Sequence, residues 1–254
     1  MAETRIRLIG RADDAGSCHT ANVAIRECVE AGIALNVGVM ACCPFFEEAA
    51  AMLADRPALC VGLHLTINAE WDTVKWGPVL PPERVPSLVD EDGHFLQNPV
   101  LTSQRAAGAS PDEVLAEIEA QLARARNAGL HIEYCDEHMG FGWLPGVRER
   151  MEAWARREGL VPGHGQGLPA LSGKFDDPAD QLIARLEAAS PGTYLVVTHP
   201  GHDTDEMRRL HHAGLAPGQV AREREGDTRM LTAPKVLDYC RSRGVLPIRF
   251  TDHG

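Results

Sequence analysis

Ile6-Arg7-Leu8-Ile9-Gly10-Arg11-Ala12-Asp13-Asp14 is the stretch from which the fold can be read. The apolar run from Ile6 to Ile9 reads as a buried β-strand, and two adjacent carboxylates follow it. Like charges side by side at the C-terminal end of a strand are unfavourable unless a positive charge sits between them or a site uses them. Two further strand-like runs end in residues of the same chemistry. Cys60 to Leu65 carries His64 near its end, and His131 to Asp136 leads into Glu137-His138. One carboxylate and two imidazoles at three strand ends make a metal site of the two-His, one-carboxylate kind. The remaining Asp is then free to act on a water at the metal, which argues for a metal-dependent hydrolase.

Outward from these three ends, the chain alternates between strand and helix patterns. Strands are expected at 5–10, 34–40, 58–65, 131–136, 160–164, 193–198 and 245–250, and helices at 18–32, 44–55, 111–128, 145–158, 177–189 and 229–243. Helix 111–128 has the clearest start: Ser110 as N-cap, Pro111 at the first position and Glu113 completing a capping box. Val114, Leu115, Ile118 and Leu122 recur at helical spacing, and Gly129 would end the helix. Repeated βα units imply parallel strands with helices packed outside. About seven units suggest an irregular (β/α) barrel, TIM-barrel-like, with an open doubly wound sheet as the alternative. In both, function collects at the C-terminal ends of the strands. Two stretches interrupt the alternation. Residues 66–109 hold Trp71, Trp76 and several prolines, and read as a lid or a small hairpin insertion. Residues 200–228 are rich in His, Asp, Arg and Gly and show no strong period.

The 254 residues, 44% of them hydrophobic, suit one catalytic domain over 1–254 with a sizeable core. A net charge of −11 and the absence of a Lys/Arg run speak against nucleic acid and anionic membrane as partners. No apolar stretch approaches the length of a membrane span, and the N-terminus shows no signal-peptide pattern. Seven cysteines without a C-x-x-C pair fit a reducing cytoplasm.

Each candidate has a structural alternative. Asp13-Asp14 could be turn or capping chemistry, His64 a core imidazole, and Asp136-Glu137 caps of the following helix. Three equivalent placements together favour the metal reading, with His64 and His138 as ligands and Asp136 or Glu137 orienting a ring nitrogen. His199-Pro200-Gly201-His202 follows a fourth apolar strand. Pro and Gly exclude a helical H-x-x-H pair, so His199 reads as a lone imidazole facing the site, a general acid for the leaving group.

These residues resemble the YdjC-like carbohydrate deacetylases, the ChbG/HpnK group. That family opens with N-A-D-D-F-G, here Arg11-Ala12-Asp13-Asp14-Ala15-Gly16, and continues with V-G-L-H-L, here Val61 to Leu65 in full. A D-x-H-x-H motif followed by proline is matched by Asp136-Glu137-His138-Met139-Gly140 with Pro145 downstream, and H-P-G by His199-Pro200-Gly201. The downstream Arg222-Glu223-Arg224-Glu225 and the terminal strand Val245–Phe250 also fit. The resemblance implies a distorted (β/α) barrel and hydrolysis of an N-acetyl group from an amino sugar or oligosaccharide. It implies Asp14, His64 and His138 as ligands of one divalent ion, Asp13 as catalytic base and His199 as the H-P-G histidine. Two imidazoles and a carboxylate favour Zn²⁺, and the resemblance also allows Mg²⁺, Mn²⁺, Co²⁺ or Ni²⁺.

Three departures bear on specificity: Arg11 replaces a small amide, Ala15 an aromatic and Gly140 a second His. Arg11 is expected to favour ionised carboxylates or to contact an anionic substrate. Trp76 is expected to offer a face to a sugar. The expected partner is an acetylated sugar, with a homodimer left open. Two rivals are a metal-dependent sugar isomerase or epimerase, which wants extra carboxylates and a Lys, and a non-catalytic carbohydrate- or metal-binding protein, which has no use for a spare base.

Overall fold

In a computed structural model, residues 5–97, 108–172 and 175–252 are described. Seven strands form one curled parallel sheet: β1 (Ile6–Ala15), β2 (Ala34–Val39), β3 (Cys60–Leu65), β4 (Ile132–Glu137), β5 (Val161–Pro162), β6 (Gly192–Thr198) and β7 (Leu246–Pro247). The order is β5-β4-β3-β2-β1-β6, with β7 against the start of β1. A parallel bridge between Gly167 and Leu195 carries the segment after β5 across to β6. The result is the irregular TIM-like barrel expected from the alternation.

Seven helices surround the sheet among the described residues: α1 (His19–Ala31), α2 (Phe46–Leu53), α3 (Pro111–Asn127), α4 (Val147–Glu158), α5 (Pro178–Ala188), α6 (Gln219–Thr232) and α7 (Pro234–Arg243). None is long and apolar enough to cross a membrane. Side chains alternate across a strand, and this period divides the core in two. Leu8, Ala12, Val37, Val39, Leu63 and Leu65 face outward into the large core shared with the helices. Ile9, Cys60, Tyr134, Ile248 and Phe250 face inward and fill the lumen. Gly62 makes room for that filling, because a Cβ there would sit 2.2 Å from Tyr134 Cζ.

Several elements differ from expectation. β1 runs on through Asp13-Asp14 to Ala15. The last strand is only Leu246–Pro247, with one further bond to β1 from Ile248 N to Leu8 O. The chain then turns in a 3₁₀ segment, Phe250–Asp252, fixed by Asn36, whose side chain accepts from Phe250 N and donates to Ile248 O. Helix 229–243 is two helices, α6 and α7, separated at Ala233-Pro234, and α6 extends back into the stretch expected to be irregular. Ser110 caps α3 and accepts from Glu113 N, but Glu113 does not reach back to complete a capping box. Its carboxylate accepts from Ser87 N of the insertion instead. The insertion, as far as residue 97, contains a Val89–Phe95 antiparallel bridge and a 3₁₀ turn. Residues 98–107 of the expected lid lie outside the described residues.

Candidate metal-centred active site

The inward positions of β1, β3 and β4 continue upward from the lumen core in steps of two residues. Ile9 is followed by Arg11 and Asp13, Cys60 by Gly62 and His64, and Tyr134 by Asp136. The top layer is therefore charged, buried and assembled by strand periodicity. Arg11 Nε and Nη2 donate to Asp13 Oδ2 at 3.0 and 2.7 Å, and Nη2 lies 2.9 Å from Asp136 Oδ2. The same Asp136 oxygen accepts from His64 Nδ1 at 2.9 Å. In the neutral ring this leaves the lone pair on Nε2, on the side of Asp14 and His138.

Asp14 reaches the site by a different device. Alternation would point it outward, but between Ala12 and Ala15 β1 has one residue more than β2, and Asp14 has φ 67°. A bulge with a left-handed residue re-aims a side chain in this way. His138 follows β4 directly, with its N–H donating to Leu65 O. Asp14 Oδ1 lies 3.5 Å from His64 Nε2 and 3.4 Å from His138 Nδ1, and the two nitrogens are 3.2 Å apart. Tetrahedral ligands at bonds of about 2.0–2.1 Å are about 3.3–3.4 Å from one another. The three donors thus have the spacing of one face of a zinc-like tetrahedron, and Asp14 Oδ1 is a buried acceptor without a hydrogen bond. The residues fit a divalent ion. A second grouping, Asp13, His64 and Asp136, is also compact enough. Arg11 already supplies a positive charge between its two carboxylates.

Electrostatics separate the paired acids. Burial works against ionised Asp14, but Arg224, whose Nη2 is 2.7 Å from Asp14 Oδ2, and the two imidazoles outweigh it and hold the carboxyl well below its ordinary range. Burial and the charge of Asp136 push Asp13 up, against the pull of His64 and Arg11. Burial opposes a charged His64, yet Asp136 and Asp13 raise it well above the usual imidazole value. Burial lowers His138, with Asp14 opposing. Three carboxylates around one buried imidazole favour a cation at this point.

Asp14 and His138 open into a cavity of about 370 Å³ lined also by Glu70, Trp71, His199 and Arg224, among others. His199 is half-buried there, its backbone N–H donating to Asp227 Oδ2 at 2.8 Å. Two expectations change. Trp76 is 3% exposed, its indole N–H donates to Asn68 O, and its ring meets His138 edge-on at 5.8 Å. With its faces enclosed, it is a wall behind a ligand rather than a sugar platform. Arg11 is 7% exposed and occupied by Asp13, Asp136 and Gly163 O, so a substrate contact gives way to holding the carboxylates. Asp136, not Glu137, orients an imidazole; Glu137 accepts from Phe141 N and Gly142 N and shapes the loop.

Charged residues of the site that went unassigned in the sequence include Glu70 and Arg224. Glu70 Oε2 is 3.8 Å from His138 Nε2, and burial together with the Asp14 charge pushes its carboxyl up to about 7. Arg224 comes from α6. Neither follows a strand end, and only the Arg222–Glu225 match pointed near one of them.

A family model described as YdjC-like protein matches residues 7–242. A carbohydrate deacetylase of Thermoanaerobacter pseudethanolicus is 27% identical, covering 94% of this chain and 96% of its own. One from Listeria monocytogenes is 29% identical, covering 97% of this chain and 100% of its own. Among solved structures, a putative cellobiose-phosphate cleavage protein from Enterococcus faecalis superposes with a TM-score of 0.79 at 20% identity, over 98% of this chain and 99% of that one. The catalytic domain of a peptidoglycan N-acetylglucosamine deacetylase from Eubacterium rectale reaches 0.53 at 11% identity, over 97% and 89%. With the family model spanning nearly its whole length, the chain belongs to the YdjC-like protein family.

Proposed function

We propose that this chain is a metal-dependent hydrolase that removes the N-acetyl group from an acetylated amino sugar or oligosaccharide. The observation that carries the reading is the donor triangle of Asp14 Oδ1, His64 Nε2 and His138 Nδ1, with sides of 3.2–3.5 Å, beside a carboxylate that is not needed to complete it. The carbohydrate deacetylases among its relatives support the substrate class. Two nitrogens and one oxygen favour Zn²⁺ over Mg²⁺, which prefers oxygen.

When bound, the ion would polarise the acetyl carbonyl and make a nearby water more acidic. Asp13 is the base. Arg11 holds its Oδ2, while Oδ1 is buried without a partner and accepts the proton as the water oxygen bonds to the acetyl carbon. Gly38 keeps the space for that oxygen, since a Cβ there would sit 2.6 Å from it. His199 gives a proton to the departing nitrogen as the C–N bond breaks, leaving acetate and a free amine. Asp136 and Glu70 stand behind His64 and His138.

The test is acetate release from a panel of N-acetylated mono- and oligosaccharides, with and without chelation. The expected result is release from at least one member, lost with chelator and restored by Zn²⁺. Chelator-insensitive release would sink the metal reading, and isomerised or unchanged sugar across the panel would sink the deacetylase reading.

A further inference from the structure

The inward face of one helix reaches both halves of the site. Arg224, Asp227 and Thr228 lie at i, i+3 and i+4 of α6, and so on one face. Asp227 Oδ2 accepts from His199 N at 2.8 Å. Thr228 Oγ1 accepts from Gly201 N at 3.0 Å and donates to the Arg224 carbonyl at 3.0 Å. Gly201 N also reaches that carbonyl at 3.2 Å. The Arg224 side chain passes over the Trp71 ring, its Cζ 5.9 Å from the centroid, and ends 2.7 Å from Asp14 Oδ2. It is 6% exposed, so the position of the guanidinium is set by packing rather than by solvent.

We propose that Arg224 is a positioning residue of the metal cage: by occupying Asp14 Oδ2 it turns Oδ1 alone toward the two imidazoles, and it ties that ligand to the helix face that carries the His199-Pro200-Gly201 loop. The inference rests on the metal reading above. A carboxylate offers two oxygens and rotates. On a bulged residue at φ 67°, Arg224 is the group that holds Oδ2 and so fixes its rotation. Partners of this kind behind a ligand commonly affect metal affinity 10- to 100-fold. Charge alone argues for the opposite sign, because removing a cation beside a divalent ion lowers repulsion and should tighten binding. The two effects therefore separate in one measurement.

The experiment titrates metal-free protein with Co²⁺ against a competing chelator and records the visible spectrum, which reports ligand geometry. Wild type is expected to bind one ion. Arg224→Met, which keeps the stem and removes the donors, should bind roughly 10- to 100-fold more weakly with an altered spectrum. Arg224→Lys, which keeps the charge but not the planar fork, should lose less affinity and still change the spectrum. Arg224→Met with wild-type or tighter affinity and an unchanged spectrum would overturn the proposal. If that variant does not fold, Arg224→Lys decides: wild-type affinity and spectrum overturn it, and weaker binding with an altered spectrum supports it. Wild-type protein that binds no ion would instead sink the metal reading, and this inference with it.

Discussion

Asp13 and Asp14 are neighbours in sequence, both at most 2% exposed, and the structure gives them opposite electrostatic settings. Asp14 has a guanidinium to itself; Asp13 shares Arg11 with Asp136. Asp14 is held ionised, which suits the ligand proposed here, and Asp13 is pushed up from the ordinary carboxylate value, which suits the proposed base. Asp13→Asn should keep its metal and lose about 10²-fold or more in kcat/KM. Metal lost in step with activity would make Asp13 a ligand instead. The charge of Arg11 lowers the Asp13 pKa, so removing it raises that pKa further. Activity needs deprotonated Asp13 and falls as pH drops through its pKa. Arg11→Met should therefore move the acidic limb of the kcat/KM profile to higher pH, and a limb that stays or moves down would show that Asp13 is not the group titrating. Gly38→Ala presses on Asp13 Oδ1 and on His64 Cβ, 3.3 Å away. It should cut turnover sharply, by more than its loss of about 1–3 kcal/mol of stability explains; full activity would mean that this oxygen need not stay where it is.

At the scale of elements, β1, β3, β4 and β6 were legible because each pairs an apolar run with a polar end, and the lumen position of Asp136 follows from the strand period. α6 was not legible as a helix. Its buried positions include Arg224, Gly226 and Thr228 beside Val220, Ala221 and Leu231, so the inward face is partly polar and the 3.6-residue pattern is broken. The face is polar because it holds the site. The insertion was read as an aromatic lid, but its tryptophans are core residues. It is anchored to α3 through Glu117, whose carboxylate accepts from Val79 N, Leu80 N and Gln121 Nε2. Glu117→Ala would strand two backbone donors and should cost about 2–3 kcal/mol of stability. Denaturant unfolding measures this. An unchanged midpoint would show that the insertion holds without this anchor.

Taken as a whole, the molecule places residues from β1, the turn after β4, the insertion, the His199 loop and α6 around one cavity at the C-terminal ends of the strands, with His64 of β3 beside Asp14 and His138. The convergence of Asp14, His64 and His138 could be anticipated because strand ends are where such barrels collect chemistry. Glu70 and Arg224 were not, because an insertion and a helix face carry no comparable positional rule. Asp14 depends on a bulge that no local pattern announced, and only the resemblance to the family distinguished it from Asp13. The central claim is that one ion sits on Asp14, His64 and His138 and leaves Asp13 free. Anomalous X-ray scattering from Zn²⁺-loaded crystals measures this directly. The account predicts one peak about 2.0–2.2 Å from Asp14 Oδ1, His64 Nε2 and His138 Nδ1. A peak held instead by Asp13, His64 and Asp136, or no peak between the two histidines, would contradict it.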